Sequence, residues 1–373
     1  MVYYNGKVSN QERKKSMTQQ QLTELNLGNS LDDIANLDPR GYGVCKILYK
    51  ASREFTGAPT SMNAAKKLFS TVGEGDIVYI MTGFVLRPFK KAEMDGIVSS
   101  ALLCRALVKA LGAKPIIICP EDNYEAVKKL AAAVGLHLFE DIQTLCEIPV
   151  SMGVYKFTKD ASLAEACADE IISKAMPKAV VSIECPGANS IGVYHNATGL
   201  DVTELEAKQD VLFEKLQKMG VLNIAIGDLG NEIGMGAIGE TLEKYIPYAR
   251  VGACRCGCGG GIAVKTSADN IITATVSDWG CYAMIASLAY LVRDVDVMHT
   301  AEIERETMLT ASGAGMIDMY GWLIPAIDGF GFEITLPIVS LMRELVRSAL
   351  SLEETCKTWF SKVDELGYFE NER

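Results

Sequence analysis

The stretch Gly227-Asp228-Leu229-Gly230-Asn231-Glu232-Ile233-Gly234-Met235-Gly236 follows an apolar run at residues 221–226. A short β-branched run bounded by glycine is typical of a buried strand. The glycines allow positive φ and a close approach of the backbone to a ligand. Because open α/β sheets place their active sites at the carboxyl ends of strands, Asp228, Asn231 and Glu232 are candidate site residues. A surface turn with solvated acids is the alternative.

Two other apolar runs end in polar loops that contain glycine. The run at 76–81 leads into Thr82-Gly83-Phe84, and Asp95-Gly96 then precedes a helical pattern. The run at 179–183 ends at Glu184, and parallel neighbouring strands would bring all these loops to one cleft. The loop after Glu184 adds the candidates Gly187, Asn189, Tyr194, His195 and Asn196.

Strand and helix patterns alternate along the chain, which predicts an α/β fold with a mostly parallel sheet and helices on both faces. We expect three layers with additional N-terminal and C-terminal helices. We divide the chain into an N-terminal helical extension at 1–40 and a single α/β domain at 41–373. The predicted strands lie at 76–81, 114–119, 136–139, 149–156, 179–184, 221–227 and 271–276.

These motifs resemble the D-glutamate cyclase C-terminal domain family, in the same order from about residue 41 to residue 286. The 227–236 stretch is the most specific; the others are Glu184 within Ile-Glu-x-Pro-Gly, the Thr-Gly-Phe loop, and Ser277-Asp278-Trp279-Gly280. The resemblance implies a lyase that reversibly dehydrates D-glutamate, or a related small amino or carboxylic acid, to 5-oxo-D-proline. Cys185 replaces a family Arg that could pair with a substrate carboxylate, which leaves the substrate open.

Carboxylates that converge repel one another unless a cation neutralises them, which favours a bound divalent ion. The chain has only three histidines, so we expect Mn²⁺ or Mg²⁺ held by oxygen ligands. No NAD or pyridoxal phosphate is expected. The predicted metal ligands are Asp228, Glu232, Asn231, Asp95 and Glu184, and the predicted catalytic residues are Glu232, His195, Glu184 and Asp228. The predicted substrate contacts are Thr82, Gly83, Phe84, Gly187, Asn189, Tyr194, Asn196 and Trp279.

Several of these residues also have purely structural interpretations. His195 is as well explained by a structural role as by proton transfer. Asp278 is equally consistent with a helix cap and Trp279 with core packing, and His299 is expected at a cap or on the surface.

Two other functions are compatible with the same residues. One is a metal-dependent hydrolase or phosphatase for a small anion, and the other is a ligand-binding homologue without activity. A nicotinamide site is not supported, because the Gly-x-Gly-x-x-Gly at 234–239 starts several residues after its strand and lacks an acid about 20 residues later.

The charge and the apolar content of the chain indicate which classes of binding partner to expect. The net charge of −11 over 373 residues does not favour nucleic acid. We see no apolar signal region and no apolar run near ~20 residues, so we expect a cytoplasmic protein without a membrane partner. A small molecule is the expected partner, with a homo-oligomer possible.

Cys254, Cys256 and Cys258 alternate within a glycine-rich stretch. The spacing predicts three reduced, partly buried thiols beside a turn, and it favours this interpretation more than a zinc or iron–sulfur site. A metal site would need longer spacers and a second pair of ligands.

Overall fold

Nine segments form strands in the computed structural model, which describes residues 17–352, 357–367 and 369. Residues 1–16, part of the predicted N-terminal extension, lie outside the described residues. The strands are β1 (Ile77–Thr82), β2 (Val85–Leu86), β3 (Lys91–Ala92), β4 (Lys114–Cys119), β5 (His137–Phe139), β6 (Ser151–Lys156), β7 (Ala179–Ile183), β8 (Leu222–Gly227) and β9 (Asn270–Thr273).

The helices lie before, between and after these strands. They are α1 (Gln19–Ala35), α2 (Val44–Thr56), α3 (Thr60–Thr71), α4 (Ile97–Leu111), α5 (Glu121–Ala133), α6 (Ile142–Glu147), α7 (Ala164–Lys174), α8 (Gln209–Lys218), α9 (Gly239–Tyr245), α10 (Ser277–Leu291), α11 (Ala301–Gly313), α12 (Phe332–Leu352) and α13 (Lys357–Glu365). None of the helices in the described part of the chain is both long and apolar enough to cross a bilayer.

Seven strands form one parallel sheet in the order β5-β6-β4-β1-β7-β8-β9, and β2 and β3 form a separate antiparallel hairpin. In the central strand, Tyr79 pairs with Ile116 on one side and Val180 on the other. All seven strands predicted from the sequence are present, so the mostly parallel sheet is confirmed.

Side chains alternate between two hydrophobic clusters, one on each face of the sheet. Ile80 belongs to the cluster that includes Trp279, whereas its neighbour Tyr79 belongs to the cluster that includes Phe213. Because successive strand residues point to opposite faces, helices must cover both sides. The predicted three-layer arrangement is therefore confirmed.

Helix α1, inside the predicted N-terminal extension, packs against α3, α10 and α12. Leu31 is completely buried there. The carboxylate of Asp32 accepts hydrogen bonds from the backbone N–H groups of Thr60 (2.6 Å) and Ser61 (3.1 Å), at the start of α3. The extension thus contributes to the core of the α/β domain.

Two elements differ from their predicted bounds. The helix predicted at 203–219 begins only at Gln209, because the Lys208 ammonium donates to the carbonyls of Thr203 and Glu206, which a helix would use internally. The strand predicted at 271–276 ends at Thr273, before α10 begins. The β2–β3 hairpin was not predicted, because each of its strands is too short to show a pattern.

Candidate functional site

Five carboxylates meet where the strands of the sheet end. Oxygens of Asp95, Asp228 and Asp328 lie within 4.8 Å of one another, and so do oxygens of Glu184, Asp228 and Glu232. Asp228 follows β8 and Glu184 follows β7, as expected for neighbouring parallel strands. The structure therefore brings Asp95, Glu184, Asp228 and Glu232 together around one centre, while their individual roles stay predictions.

Glu232 organises the loop that contains it. Its carboxylate accepts hydrogen bonds from the backbone N–H groups of Asp228 (3.2 Å), Leu229 (2.9 Å) and Gly230 (2.7 Å). The loop can press against β8 only because residue 234 is glycine. Its φ is +92°, and a Cβ there would lie 2.2 Å from Ala225 Cβ. Glu232 thereby fixes the position of the neighbouring Asp228.

Asp95 and Glu184 are held by the start of α10. The backbone N–H of Asp278 donates to Asp95 (3.1 Å), and the Ser277 hydroxyl donates to Glu184 (2.6 Å). Gly96 permits this close packing, since a Cβ there would lie 2.7 Å from Glu184 Cβ. Glu184 itself has a φ of +44°, a strained conformation of the kind that concentrates at functional sites.

Asp278 caps a different helix from the one it opens. Its carboxylate accepts hydrogen bonds from the backbone N–H groups of Gly96 (2.8 Å) and Ser99 (3.3 Å), at the start of α4. The expectation of a local cap was wrong, because the loop before α4 lies directly against α10. Asp278 thus joins α4 to α10 behind Asp95.

Arg40 and Asp328 are site residues that we did not predict. The guanidinium of Arg40 donates to the carboxylate and to the carbonyl (2.6 Å) of Asp328, and it lies 4.8 Å above the ring of Phe330. Arg40 belongs to a segment that the sequence indicates only as a turn. The pair Asp328-Gly329 repeats the Asp-Gly motif of residues 95–96, which is the one signal that could have identified it.

A cavity of about 270 Å³ opens above the carboxylates. The predicted contacts Phe84 and Asn196 line it, together with Asn231 and the acids Glu93, Asp95, Glu184, Asp228 and Asp328. Its remaining wall is largely apolar and comes mainly from the β2–β3 hairpin and the segments around residues 200 and 319. The apolar lining residues are Leu86, Pro88, Phe89, Ala197, Leu200, Leu229 and Met319.

The other predicted substrate contacts do not line this cavity. Asn189 donates to the Gly261 carbonyl (2.9 Å), Tyr194 donates to Asp210, and Trp279 packs on Phe330. These contacts lie within the fold, and the substrate-binding roles of the three residues stay predictions. Gly83 packs beside Pro120 and Gly187 beside Val264, whereas Thr82 lies beside Gly96 with its buried hydroxyl unpartnered among the described residues.

Burial raises the pKa of Asp228 well above its usual range, and the neighbouring charges of Glu184 and Asp328 raise it further. Burial also raises the pKa of Asp95 and Glu184, and it raises that of Asp328 to about 6 despite Arg40. Such a set of acids is costly to ionise without a cation.

Among the described residues that line the cavity, two have a buried oxygen without a hydrogen-bond partner. These oxygens are Oδ1 of Asp228 and Oδ1 of Asn231. Buried oxygens are normally satisfied, so both are available to a ligand. Carboxylate and amide oxygens are the donors that Mg²⁺ and Mn²⁺ prefer, and the residues present therefore fit such an ion.

The histidines have different surroundings from those expected. The His195 ring points at Cys256 and Cys258, with Nε2 at 3.2 Å and 3.5 Å from their sulfurs, and burial lowers its pKa. This placement does not support its predicted role as a proton carrier. His299 is buried, with Nε2 2.9 Å from a Glu304 oxygen, so the predicted surface position was wrong.

Comparison with known proteins agrees with the family motifs found in the sequence. The chain is similar to the human (Homo sapiens) protein named D-glutamate cyclase, mitochondrial, with 28% identity over 272 residues. The alignment covers 70% of this chain and 38% of the human protein, so the chain matches little more than a third of that relative's length. A family described as D-glutamate cyclase-like, C-terminal, matches residues 31–343. The chain therefore belongs to the D-glutamate cyclase-like C-terminal family.

Proposed function

We propose that this protein is a lyase of the D-glutamate cyclase type, which reversibly dehydrates D-glutamate to 5-oxo-D-proline with the help of Mn²⁺ or Mg²⁺. The observation that carries the proposal is the cluster of buried carboxylates at the floor of the cavity. The family membership and the name of the human relative support the reaction.

We assign the metal to Asp228 with Asp95 and Asp328, whose oxygens converge within 4.8 Å. Asn231 is a further ligand through its unpartnered Oδ1. Glu232 is better suited to positioning than to ligation, because three backbone N–H groups already occupy its oxygens. When bound, a divalent ion would polarise the γ-carboxyl group of the substrate, which is otherwise a poor electrophile.

The cavity provides complementary surfaces for a small amino acid. The acidic floor attracts an ammonium group, and the wall formed by Phe84, Leu86 and Met319 can pack against methylene groups. Asn196 offers an amide to a carboxylate. Holding the amine and the γ-carboxyl group in a ring-closing pose supplies part of the rate acceleration.

We propose Glu184 as the group that takes a proton from the substrate ammonium. One of its oxygens is held by Ser277 (2.6 Å), it lines the cavity, and burial raises its pKa toward that of a useful base. The neutral amine then attacks the γ-carboxyl carbon. A C–N bond forms and a C–O bond breaks, and the oxygen leaves as water with two protons, the one that Glu184 took from the ammonium and the one that the amine loses on forming the lactam.

Incubation of the purified protein with D-glutamate and Mn²⁺, followed by measurement of 5-oxoproline, tests the proposal. We expect product that disappears with EDTA and in Asp228→Asn, whereas Glu243→Gln, at an exposed acid, retains activity. L-glutamate in parallel measures the stereochemical preference. Absence of 5-oxoproline under all metal conditions from a folded protein would contradict the proposed activity.

We also propose a cytoplasmic location, a small-molecule partner without nucleic acid or membrane, and assembly as a homo-oligomer.

A further inference from the structure

We propose that Cys254, Cys256, Cys258 and His195 bind one Zn²⁺ ion, which fastens a wall of the cavity to the cysteine loop. This site is separate from the carboxylates and does not depend on the proposed cyclase activity. The cysteine loop here means residues 254–258.

The four side chains converge on one point. The sulfur of Cys254 lies 3.4 Å from that of Cys258 and 3.7 Å from that of Cys256. Nε2 of His195 lies 3.2 Å from the sulfur of Cys256 and 3.5 Å from that of Cys258. One ligand atom from each residue therefore lies within 4.8 Å of all the others.

These separations match the edges of a tetrahedron around zinc. Bond lengths of about 2.3 Å to sulfur and about 2.0–2.1 Å to nitrogen place two sulfurs roughly 3.8 Å apart and a sulfur and a nitrogen roughly 3.6 Å apart. Three cysteines and one histidine form a closed ligand set of the kind found in structural zinc sites. Because all four atoms surround a single centre, the arrangement favours one ion over a multinuclear cluster.

The loop around the cysteines is shaped for this role. Gly257 and Gly259 have φ of +79° and +86°, which lets the chain turn so that the three thiols face the same centre. The backbone N–H of Gly260 points at the sulfur of Cys258 (3.4 Å). Such N–H groups stabilise the thiolate form that binds metal.

The fourth ligand explains why the sequence did not predict this site. The spacing of the cysteines provides three ligands without a second pair, and His195 lies far upstream. Folding brings His195 to the cysteine loop because Gly199 accepts hydrogen bonds from the backbone N–H groups of Arg255 (2.8 Å) and Cys256 (3.1 Å). The expectation of three free thiols therefore lacked the residue that completes the set.

An ion at this position would stabilise one wall of the cavity. Residues Asn196, Thr198 and Leu200, just after the histidine, line the cavity. The carbonyl of His195 also accepts a hydrogen bond from the side chain of Asn231 (3.2 Å), in the acidic loop. A zinc ion bound to His195 would hold this wall in place from behind, without contacting the substrate.

Metal analysis of the full chain, purified without chelators, tests the proposal. We expect about one zinc ion per chain. The content should fall at least tenfold in Cys256→Ser and in His195→Ala, and remain unchanged in Cys146→Ser, which alters an exposed cysteine. Asp228→Asn should also retain its zinc, which separates this site from the carboxylates.

Replacement of zinc by Co²⁺ in the unmodified chain keeps the test independent of variants that fail to fold. We expect the absorption bands of tetrahedral cobalt with thiolate ligands. Several results would overturn the proposal: no zinc and no uptake by the reduced protein, full zinc content in Cys256→Ser, iron with visible absorption instead of zinc, or a disulfide between these cysteines.

Discussion

At the scale of single residues, the site combines six acids, which are the five clustered carboxylates and Glu93, with one arginine. Arg40 neutralises Asp328 but leaves an excess of negative charge around Asp228. The side chains of Arg40 and Asp328 are 19% and 8% exposed, so their pairing is largely shielded from water. Removing one partner of such a pair lowers the free energy of unfolding, mainly because the other partner is left as a buried charge without compensation.

Arg40→Met should therefore lower the free energy of unfolding by about 2–4 kcal/mol. Asp328→Asn in the same background should recover part of this loss, because the unpaired carboxylate is then neutral. Urea denaturation measures both. Lys174→Met, which removes an exposed pair with Glu170, should cost less than about 1 kcal/mol. Equal losses at the two positions would contradict the shielding of the Arg40 pair.

Asp228→Asn removes the carboxylate shared by both groups of acids. We expect the Mn²⁺-dependent increase in melting temperature to require at least tenfold more metal in this variant. Thermal denaturation with a Mn²⁺ titration measures the change. Glu243→Gln should respond like the unmodified protein, and an unchanged titration in Asp228→Asn would refute its role as a ligand.

At the scale of elements, the glycines in and just after the loop at 227–236 differ in their surroundings. At Gly234 a Cβ would meet Ala225 Cβ at 2.2 Å with φ at +92°, whereas a Cβ at Gly239 would meet nothing within 4 Å. Gly239 also begins α9 with helical dihedral angles. The two positions form a matched pair for testing how tightly the loop is packed.

Gly234→Ala should destabilise the protein by about 2–4 kcal/mol, since both a steric clash and backbone strain oppose it. Gly239→Ala should be neutral or slightly stabilising, because alanine favours a helix. Chemical denaturation distinguishes the two. Similar stabilities would show that the loop can move away from β8 at little cost.

The elements themselves were largely predictable from sequence, because the strands are continuous apolar runs and parallel topology follows from the helices between them. β4 was predicted at its observed bounds, and β7 within one residue. The hairpin at Val85–Ala92 was not predictable, since Glu206 holds it by accepting a hydrogen bond from Val85 (3.0 Å). Such a contact between distant residues has no local pattern.

The site likewise combines residues with a local sequence signal and residues placed only by contacts between distant parts of the chain. Asp95, Glu184, Asp228 and Glu232 each follow a recognisable strand or Asp-Gly signal, and the structure brings them together. Arg40 and Asp328 come from segments without regular structure, and His195 joins three cysteines through tertiary contacts alone. Topology predicts where strand ends meet, but not which loops fold over them.

At the scale of the whole molecule, buried acids link stability to pH. Burial raises the pKa of Asp278 to about 7 and that of Glu206 to about 8. In the unfolded chain these acids ionise near pH 4. The folded state therefore binds more protons between these values, and the stability that these groups contribute is complete below about pH 4 and is lost as the pH rises through 7 and 8.

We expect the free energy of unfolding of metal-free protein to fall between pH 5 and about pH 8. Denaturation in EDTA at several pH values measures this. Glu206→Gln should make the slope shallower by at most about 1.4 kcal/mol per pH unit. Mn²⁺ should also reduce the fall, because it stabilises the ionised acids near Asp328. A slope that neither change affects would contradict this origin of the pH dependence.

The three N–H groups that Glu232 occupies have a consequence for anionic ligands. In a glycine-rich loop after a strand, such N–H groups commonly form a nest for a phosphoryl group. Here the protein's own carboxylate fills the nest. A phosphoryl group could bind these N–H groups only by displacing Glu232, so we expect that this loop does not serve as a phosphate-binding site.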